Sequence, residues 1–284
     1  MPSNLSGRTI LSKTHRQKYW LSFVVKNWQN SLYLSIEREH MKLITLNIWG
    51  GHVAEPFAKF IHDHKEVDIL CLQEVYQGGA EKINGDDRWV DTSIYEKIVS
   101  WMPDHEGYFC PLVSNIYGLA TFVRKGIQVE AVGEVPIFDS PAYVGVGADH
   151  SRKIQWLRML DDGTPFTLIN LHGLWNGKGK TDCPERIEQS HIVRTFIDSL
   201  DTPWALVGDF NLKPGTESLA ILDKGSVNWV IEQGIQSTRT SYYPKEERMA
   251  DYIVTSPGIT GSDFAVMPDE VSDHAALAID FEIN

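Results

Sequence analysis

Apolar residues recur from Met41 onward in short runs of strand length, each closed by Gly, Pro, Asn or Asp. Positions 43–48, 68–72, 119–123, 154–160, 166–171, 204–207, 252–255 and 276–281 read as strands. Helical spacing is clearest over 184–200, where Val193, Phe196, Ile197 and Leu200 share one face and Pro184 suits a first turn, with Asp182 or Cys183 as its cap. Shorter helices are expected over 55–65, 92–101 and 216–222, the last capped by Thr216. Many strands, few helices and polar residues gathered where strands end predict two packed sheets flanked by helices, with any chemistry at one rim.

The first 40 residues are of another character. They hold six Lys or Arg against two Glu, in a chain whose totals are 26 bases and 38 acids. They are expected to be an extension before a domain spanning 41–284: a short helix carrying Trp20, Phe23 and Trp28, a docking segment, or nothing ordered. Because Met41-Lys42-Leu43-Ile44 makes a natural chain start at a first strand, a misassigned start codon is the leading explanation. The acidity of the remainder argues against a broad basic face for duplex DNA. It leaves nucleic acid open as a substrate, since carboxylates around a divalent cation reverse sign locally. Cys71, Cys110 and Cys183 are widely spaced, with no C-x-x-C, which predicts neither a disulfide framework nor structural zinc. With no apolar run long enough for a signal peptide or a membrane span, a cytoplasmic protein is expected, and no obligate protein partner is signalled.

Six segments bring polar groups to an apolar edge. Asn47 is followed by Trp49 and two glycines; Glu74 closes a buried run; Asn170 and His172 end another; Asp209 and Asn211 follow an apolar stretch; Asp251 opens a strand; and Asp273-His274 stand near the C-terminus. Singly, each is more often a turn residue or a satisfied structural group. Together, acids, amides and an Asp-His pair at strand ends are what metal-assisted phosphoester hydrolysis needs.

The strings T-L-N-I-W-G at 45–50, L-Q-E at 72–74, G-L-A-T-F at 118–122, N-L-H-G at 170–173, G-D-F-N at 208–211, A-D-Y at 250–252 and S-D-H at 272–274 resemble, in order and spacing, the endonuclease/exonuclease/phosphatase superfamily of DNase I-like phosphodiesterases. The resemblance implies an α+β fold, a four-layer α/β/β/α sandwich of two mainly antiparallel sheets. It also implies Mg²⁺, with Mn²⁺ as a substitute, held by Glu74 with help from Asp273 or Asn47. His274 resembles the catalytic histidine oriented by Asp251. Asp209 and Asn211 resemble the pair that positions water and phosphate, and His172 occupies the place of a residue that protonates the leaving oxygen. The implied reaction is in-line attack of water on a phosphodiester, most readily at a nucleic-acid end or in a nucleotide.

Around this centre, Asn176, Lys178, Lys180 and Arg186 make one loop basic within an acidic chain, which fits either a grip on flanking phosphates or a solvated loop. Trp49 and Trp175 fit a stacking platform or a shield against water, and Arg239 is a further phosphate-binding candidate. Two rivals share the superfamily, a phospholipid and an inositol-phosphate phosphoesterase. The first would show a secretion signal and an apolar membrane-touching hairpin, neither of which is evident, and the second would want a dense Lys/Arg cluster, which only positions 178–186 offer. A catalytically silent binding scaffold is the rival from another class.

Overall fold

The structure, a computed structural model, describes residues 40–79, 90–140 and 150–284. The expectations for residues 1–39 lie outside them. Twelve strands occur among the described residues: β1 (Met41–Asn47), β2 (Ile69–Tyr76), β3 (His105–Val113), β4 (Tyr117–Arg124), β5 (Gln128–Phe138), β6 (Arg152–Asp161), β7 (Thr164–His172), β8 (Trp204–Asp209), β9 (Val227–Asn228), β10 (Asp251–Thr255), β11 (Ile259–Val266) and β12 (Leu277–Ile283). The helices are α1 (Ala54–Asp63), α2 (Ile94–Trp101), α3 (Pro184–Asp198), α4 (Glu217–Leu222) and α5 (Trp229–Glu232).

The strands form two six-stranded sheets, ordered β11-β12-β1-β2-β4-β3 and β5-β6-β7-β8-β10-β9. Each contains one parallel pair, β1 with β2 and β7 with β8, among antiparallel neighbours. Helices α1 and α3 make the two crossovers, as parallel strands require. Alternation along the strands sorts the core. Leu43, Ile69 and Cys71 join a cluster with Ile154, Leu168 and Leu206 of the second sheet, whereas Ile44, Leu46, Leu70 and Leu72 meet Phe57, Phe60 and Ile98 of α1 and α2. Helix cover is modest, since α2 and α4 have eight and six residues.

All eight expected strands are present, and the four that the pattern missed, β11, β3, β5 and β9, are the four sheet edges. Edge strands are half wetted and tolerate Gly and Pro, so their sequences lack a continuous apolar signal. Strand β5 alternates exposed and half-buried positions and carries Gly133 and Pro136. The helix expectations hold to within a few residues, and Thr216 Oγ1 accepts from Leu219 N at 3.3 Å as the cap of α4. The cap proposed for α3 is corrected: Cys183 makes no side-chain cap, and Asp182 instead accepts from the backbone of Glu217 and Ser218 at the start of α4.

A buried polar seam joins the sheets beneath the rim. Gln73 Nε2 donates to Asn170 Oδ1 at 2.7 Å, and Asn170 Nδ2 donates to the carbonyls of Leu72 and Ala120. Thr121 Oγ1 continues the seam to Gln155 at 2.8 Å. A buried seam whose members are bonded fixes one register between the sheets, because any slip strands polar groups away from water.

Candidate active site

Register places the central side chains in one row. His172 is level with Asp209 across the β7–β8 pair, and Asp209 is level with Asp251 across β8–β10. Gly173 and Gly208 let this edge close up, since a Cβ on either would lie 2.1 Å from a carbonyl oxygen, of Phe210 and Leu171 respectively. From the other sheet, Glu74 sits in a bulge where β2 slips against β4 between Leu72 and Val75, with a left-handed φ of 60°. Trp49 and Asn211 also have positive φ, 49° and 53°. Such conformations are strained for non-glycine residues and persist where the surroundings enforce them.

Asn47 ties the sheets together at this point. Its Nδ2 donates to Glu74 Oε1 and to Asp209 Oδ2, both at 3.0 Å, while its Oδ1 accepts from Trp49 N. Asp209 further accepts from Asn211 N and Nδ2 at 2.9 and 3.3 Å. His274 Nδ1 lies 2.8 Å from Asp251 Oδ1, and Asp251 Oδ2 accepts from Thr238 Oγ1 at 2.8 Å. The free edge of the ring, Nε2, is 3.6 Å from Asp209 Oδ2 and 3.8 Å from Asp273 Oδ1. His172 Nε2 stands 3.7 Å from Asp209 and 3.9 Å from Glu74. Ser272 Oγ donates to Asn47 O at 2.7 Å, anchoring the loop that carries Asp273 and His274 to β1.

Burial sets the protonation states. It pushes the Glu74 carboxyl up to about 7, against the Asn47 hydrogen bond and helped by Asp273 and Asp209. It lowers His274 to about 4, with Arg239 adding to the effect, and raises Asp251 to about 6. At neutral pH the pair is therefore an Asp251 carboxylate accepting from a neutral imidazole at Nδ1–H, with the Nε2 lone pair facing the pocket. His172 is held well below its ordinary range by burial and then by Arg152, so its imidazole is neutral as well.

The carboxylates suit a hard divalent cation. Glu74, Asp209 and Asp273 face one another closely enough to raise the Glu74 carboxyl, a like-charge crowding that such an ion relieves. Glu74 remains 28% exposed and opens onto the pocket. Asn47 fits this ion less well than expected: its amide nitrogen, not its oxygen, faces the acids, and turning it would break the bond from Trp49 N. It orients carboxylates. Asp273 Oδ2 is paired with Arg239 Nη1 at 2.9 Å, which leaves Oδ1 toward His274.

These residues form the floor of a pocket of about 310 Å³, walled by Trp49, Trp175, Tyr243, Lys180, Arg239 and Lys245. Trp49, Trp175 and Arg239 thus reach the place expected of them. Arg186 and Asn176 do not. The Arg186 guanidinium, 1% exposed, donates to the carbonyls of Leu174, Thr181 and Gly179 and to Asn176 Oδ1, so its donors are engaged inside the protein. It holds the loop that carries Lys180. The residues that sequence missed are Tyr76, Tyr117, His150, Arg152, Tyr243 and Lys245. Only Arg152 left a trace, a charge at the head of the apolar run 154–160. A larger apolar groove, about 1040 Å³, runs between α3 and Val135 of β5 and shares no residue with this pocket.

Comparison with known proteins agrees with this architecture. The sequence profile of the Endonuclease/Exonuclease/phosphatase family matches residues 44–274. A search of curated protein sequences finds no match. Among solved structures, an endonuclease/exonuclease/phosphatase from Bacteroides vulgatus superposes with a TM-score of 0.66 at 17% identity, covering 87% of this chain and 100% of that one. A mannosyl-6-phosphatase of Bacteroides thetaiotaomicron gives 0.66 at 17% identity, covering 86% and 100%. The human Nocturnin catalytic domain gives 0.62 at 18% identity, covering 87% and 96%. With the profile spanning most of its length, the chain belongs to the endonuclease/exonuclease/phosphatase family.

Proposed function

We propose that this chain is a Mg²⁺-dependent phosphodiesterase that hydrolyses a small phosphodiester, a nucleotide or a nucleic-acid end, with Mn²⁺ able to replace Mg²⁺. The observation that carries the proposal is the meeting, over one pocket floor, of Glu74, Asp209 and the Asp251–His274 pair from four separate strand ends and loops. Glu74 is read as the principal ligand, with Asp273 or Asp209 completing the set. When bound, the ion supplies neutralisation of charge on the non-bridging and leaving oxygens of the phosphate.

The chain's own groups supply the rest. Asp209 and Asn211 hold the attacking water in line, because the Asp209 oxygens are already fixed by Asn47 and Asn211. His274 takes the water's proton at Nε2, while Asp251 keeps Nδ1 protonated and the ring aligned. A bond forms from the water oxygen to phosphorus as the bond to the leaving oxygen breaks. The leaving oxygen takes a proton from solvent, and His274 returns its own there. His172 is neutral, so it donates a hydrogen bond to the leaving oxygen rather than a proton. Trp49 and Trp175 flank the floor as surfaces on which a base or another ring stacks.

Bis(p-nitrophenyl) phosphate tests this directly. Hydrolysis is expected with Mg²⁺ or Mn²⁺, to vanish in EDTA and to return on adding either ion. Hydrolysis that continues at full rate in chelator contradicts the proposal.

A further inference from the structure

The wall of the pocket holds a cation that the hydrolytic floor does not use. Lys180 is 1% exposed, lines the pocket, and its Nζ makes no hydrogen bond. Its Nζ lies over the face of Tyr243, at 5.1 Å from the ring centroid. The same ring carries the Arg239 guanidinium at 4.1 Å, so two positive charges meet one aromatic ring. Arg239 is paired with Asp273 through Nη1, yet its Nε is buried without a hydrogen-bond partner.

A cation–π contact recovers only part of what burying an ammonium group away from water costs. Asp209, Asp251 and Glu247 attract Lys180 and Arg239 repels it, but none of them supplies its Nζ with a hydrogen bond. An oxyanion between the two would satisfy both the ammonium N–H groups and the idle Arg239 Nε–H. A solvated surface lysine would turn outward. Lys180 is prevented from doing so by Arg186, which grips the carbonyls of Gly179 and Thr181 on either side of it.

We infer that Lys180 and Arg239, seated on Tyr243, form a second phosphate subsite, and that the substrate is a phosphoester carrying a second phosphate beside the scissile one. A phosphate offers more acceptor oxygens than a carboxylate, enough to meet the Lys180 ammonium and the Arg239 Nε–H together while Arg239 Nη1 stays on Asp273. The subsite abuts the floor, because Arg239 is bonded to Asp273, whose other oxygen faces His274. In a pocket of about 310 Å³ both groups must belong to one small molecule or one chain end, such as a nucleoside 3′,5′-bisphosphate unit. This substrate class rests on reading the floor as a phosphoester hydrolase.

Calorimetric binding of thymidine 3′,5′-bisphosphate and of thymidine 5′-monophosphate, in Ca²⁺, tests it apart from turnover. The wild-type protein should bind the bisphosphate about tenfold or more tighter, the scale of one hydrogen bond to a charged group. In Lys180→Met the ratio should fall to about two, on the same scale. Equal affinities in the wild type overturn the subsite without any variant, and so does an undiminished ratio in a folded Lys180→Met protein. Hydrolysis separates the two proposals. If thymidine 3′-phosphate 5′-(p-nitrophenyl phosphate), which carries both phosphates, is not cleaved with Mg²⁺ or Mn²⁺ while the preference for bisphosphate stands, the hydrolase reading fails and the subsite survives.

Discussion

The floor and the wall of the pocket are built by different means. The floor is made of strand ends held in register, with His172, Asp209 and Asp251 in one row and Glu74 aimed by a bulge. The wall is made of loops, and the position of Lys180 depends on one buried guanidinium that spans three carbonyls. Rigid ladders suit groups that must meet reacting atoms within a fraction of an ångström, whereas loops on such a scaffold can change with the substrate. Under the proposed function the floor carries the reaction and the wall the choice of substrate.

The largest expected effect breaks the floor alone. His274→Ala should lower kcat by roughly a thousandfold, within the range typical of general acid–base groups. Because the ring is buried against Asp251, some loss of melting temperature is expected as well, and kcat is compared at a temperature where both proteins are folded. Near-wild-type turnover would remove His274 from the mechanism.

A second variant breaks the wall and spares the floor. Arg186→Met strands several buried carbonyls and should destabilise the protein by about 3 kcal/mol, the scale for deleting one partner of a buried charged network. Thermal melting reads that loss, and Mn²⁺ titration should show unchanged affinity at the floor. A loss of metal affinity as large as the loss of stability would show that wall and floor are one unit.

The smallest effect concerns His150, whose ring lies 6.2 Å from that of His172. Burial, then Arg152, lowers it from 6.5 to about 3. An unfolded histidine binds its proton near 6.5, so the unfolded state carries more protons below that pH and stability falls as pH drops toward 3. The slope for one such group is about 1.4 kcal/mol per pH unit. In metal-free protein, His150→Gln should flatten the decline in melting temperature between pH 6.5 and pH 5 (~1.5 units at the slope above). An unaltered slope would mean that His150 is already charged or exposed.

The same contrast explains what sequence could reveal. Floor residues lie at the ends of buried strands, where an apolar run stops at an acid, amide or imidazole, and so Asn47, Glu74, His172, Asp209, Asn211 and Asp251 stood out together. Central strands were legible for the same reason, while the four edges, wetted on one side, were not. Lys180 was visible only as part of a basic loop, and its burial is a tertiary fact. Arg186 looked like a phosphate ligand because charge is plain in sequence, whereas the three carbonyls that absorb it are contributed by backbone, which leaves no compositional mark. Tyr243 and Lys245 come from a loop with no periodicity at all, and only folding brings them against Trp175 and Arg239.

Under the proposed function, Glu74 holds a divalent ion that hydrolysis requires. Activity of wild type and Glu74→Gln should be titrated against Mg²⁺ after exhaustive chelation, using one chromogenic phosphodiester. The account predicts no turnover without metal, and a concentration for half-maximal activity raised by about tenfold or more in the variant, since a neutral amide replaces a charged oxygen ligand. Turnover that is independent of Mg²⁺, or an identical titration in both proteins, would contradict it.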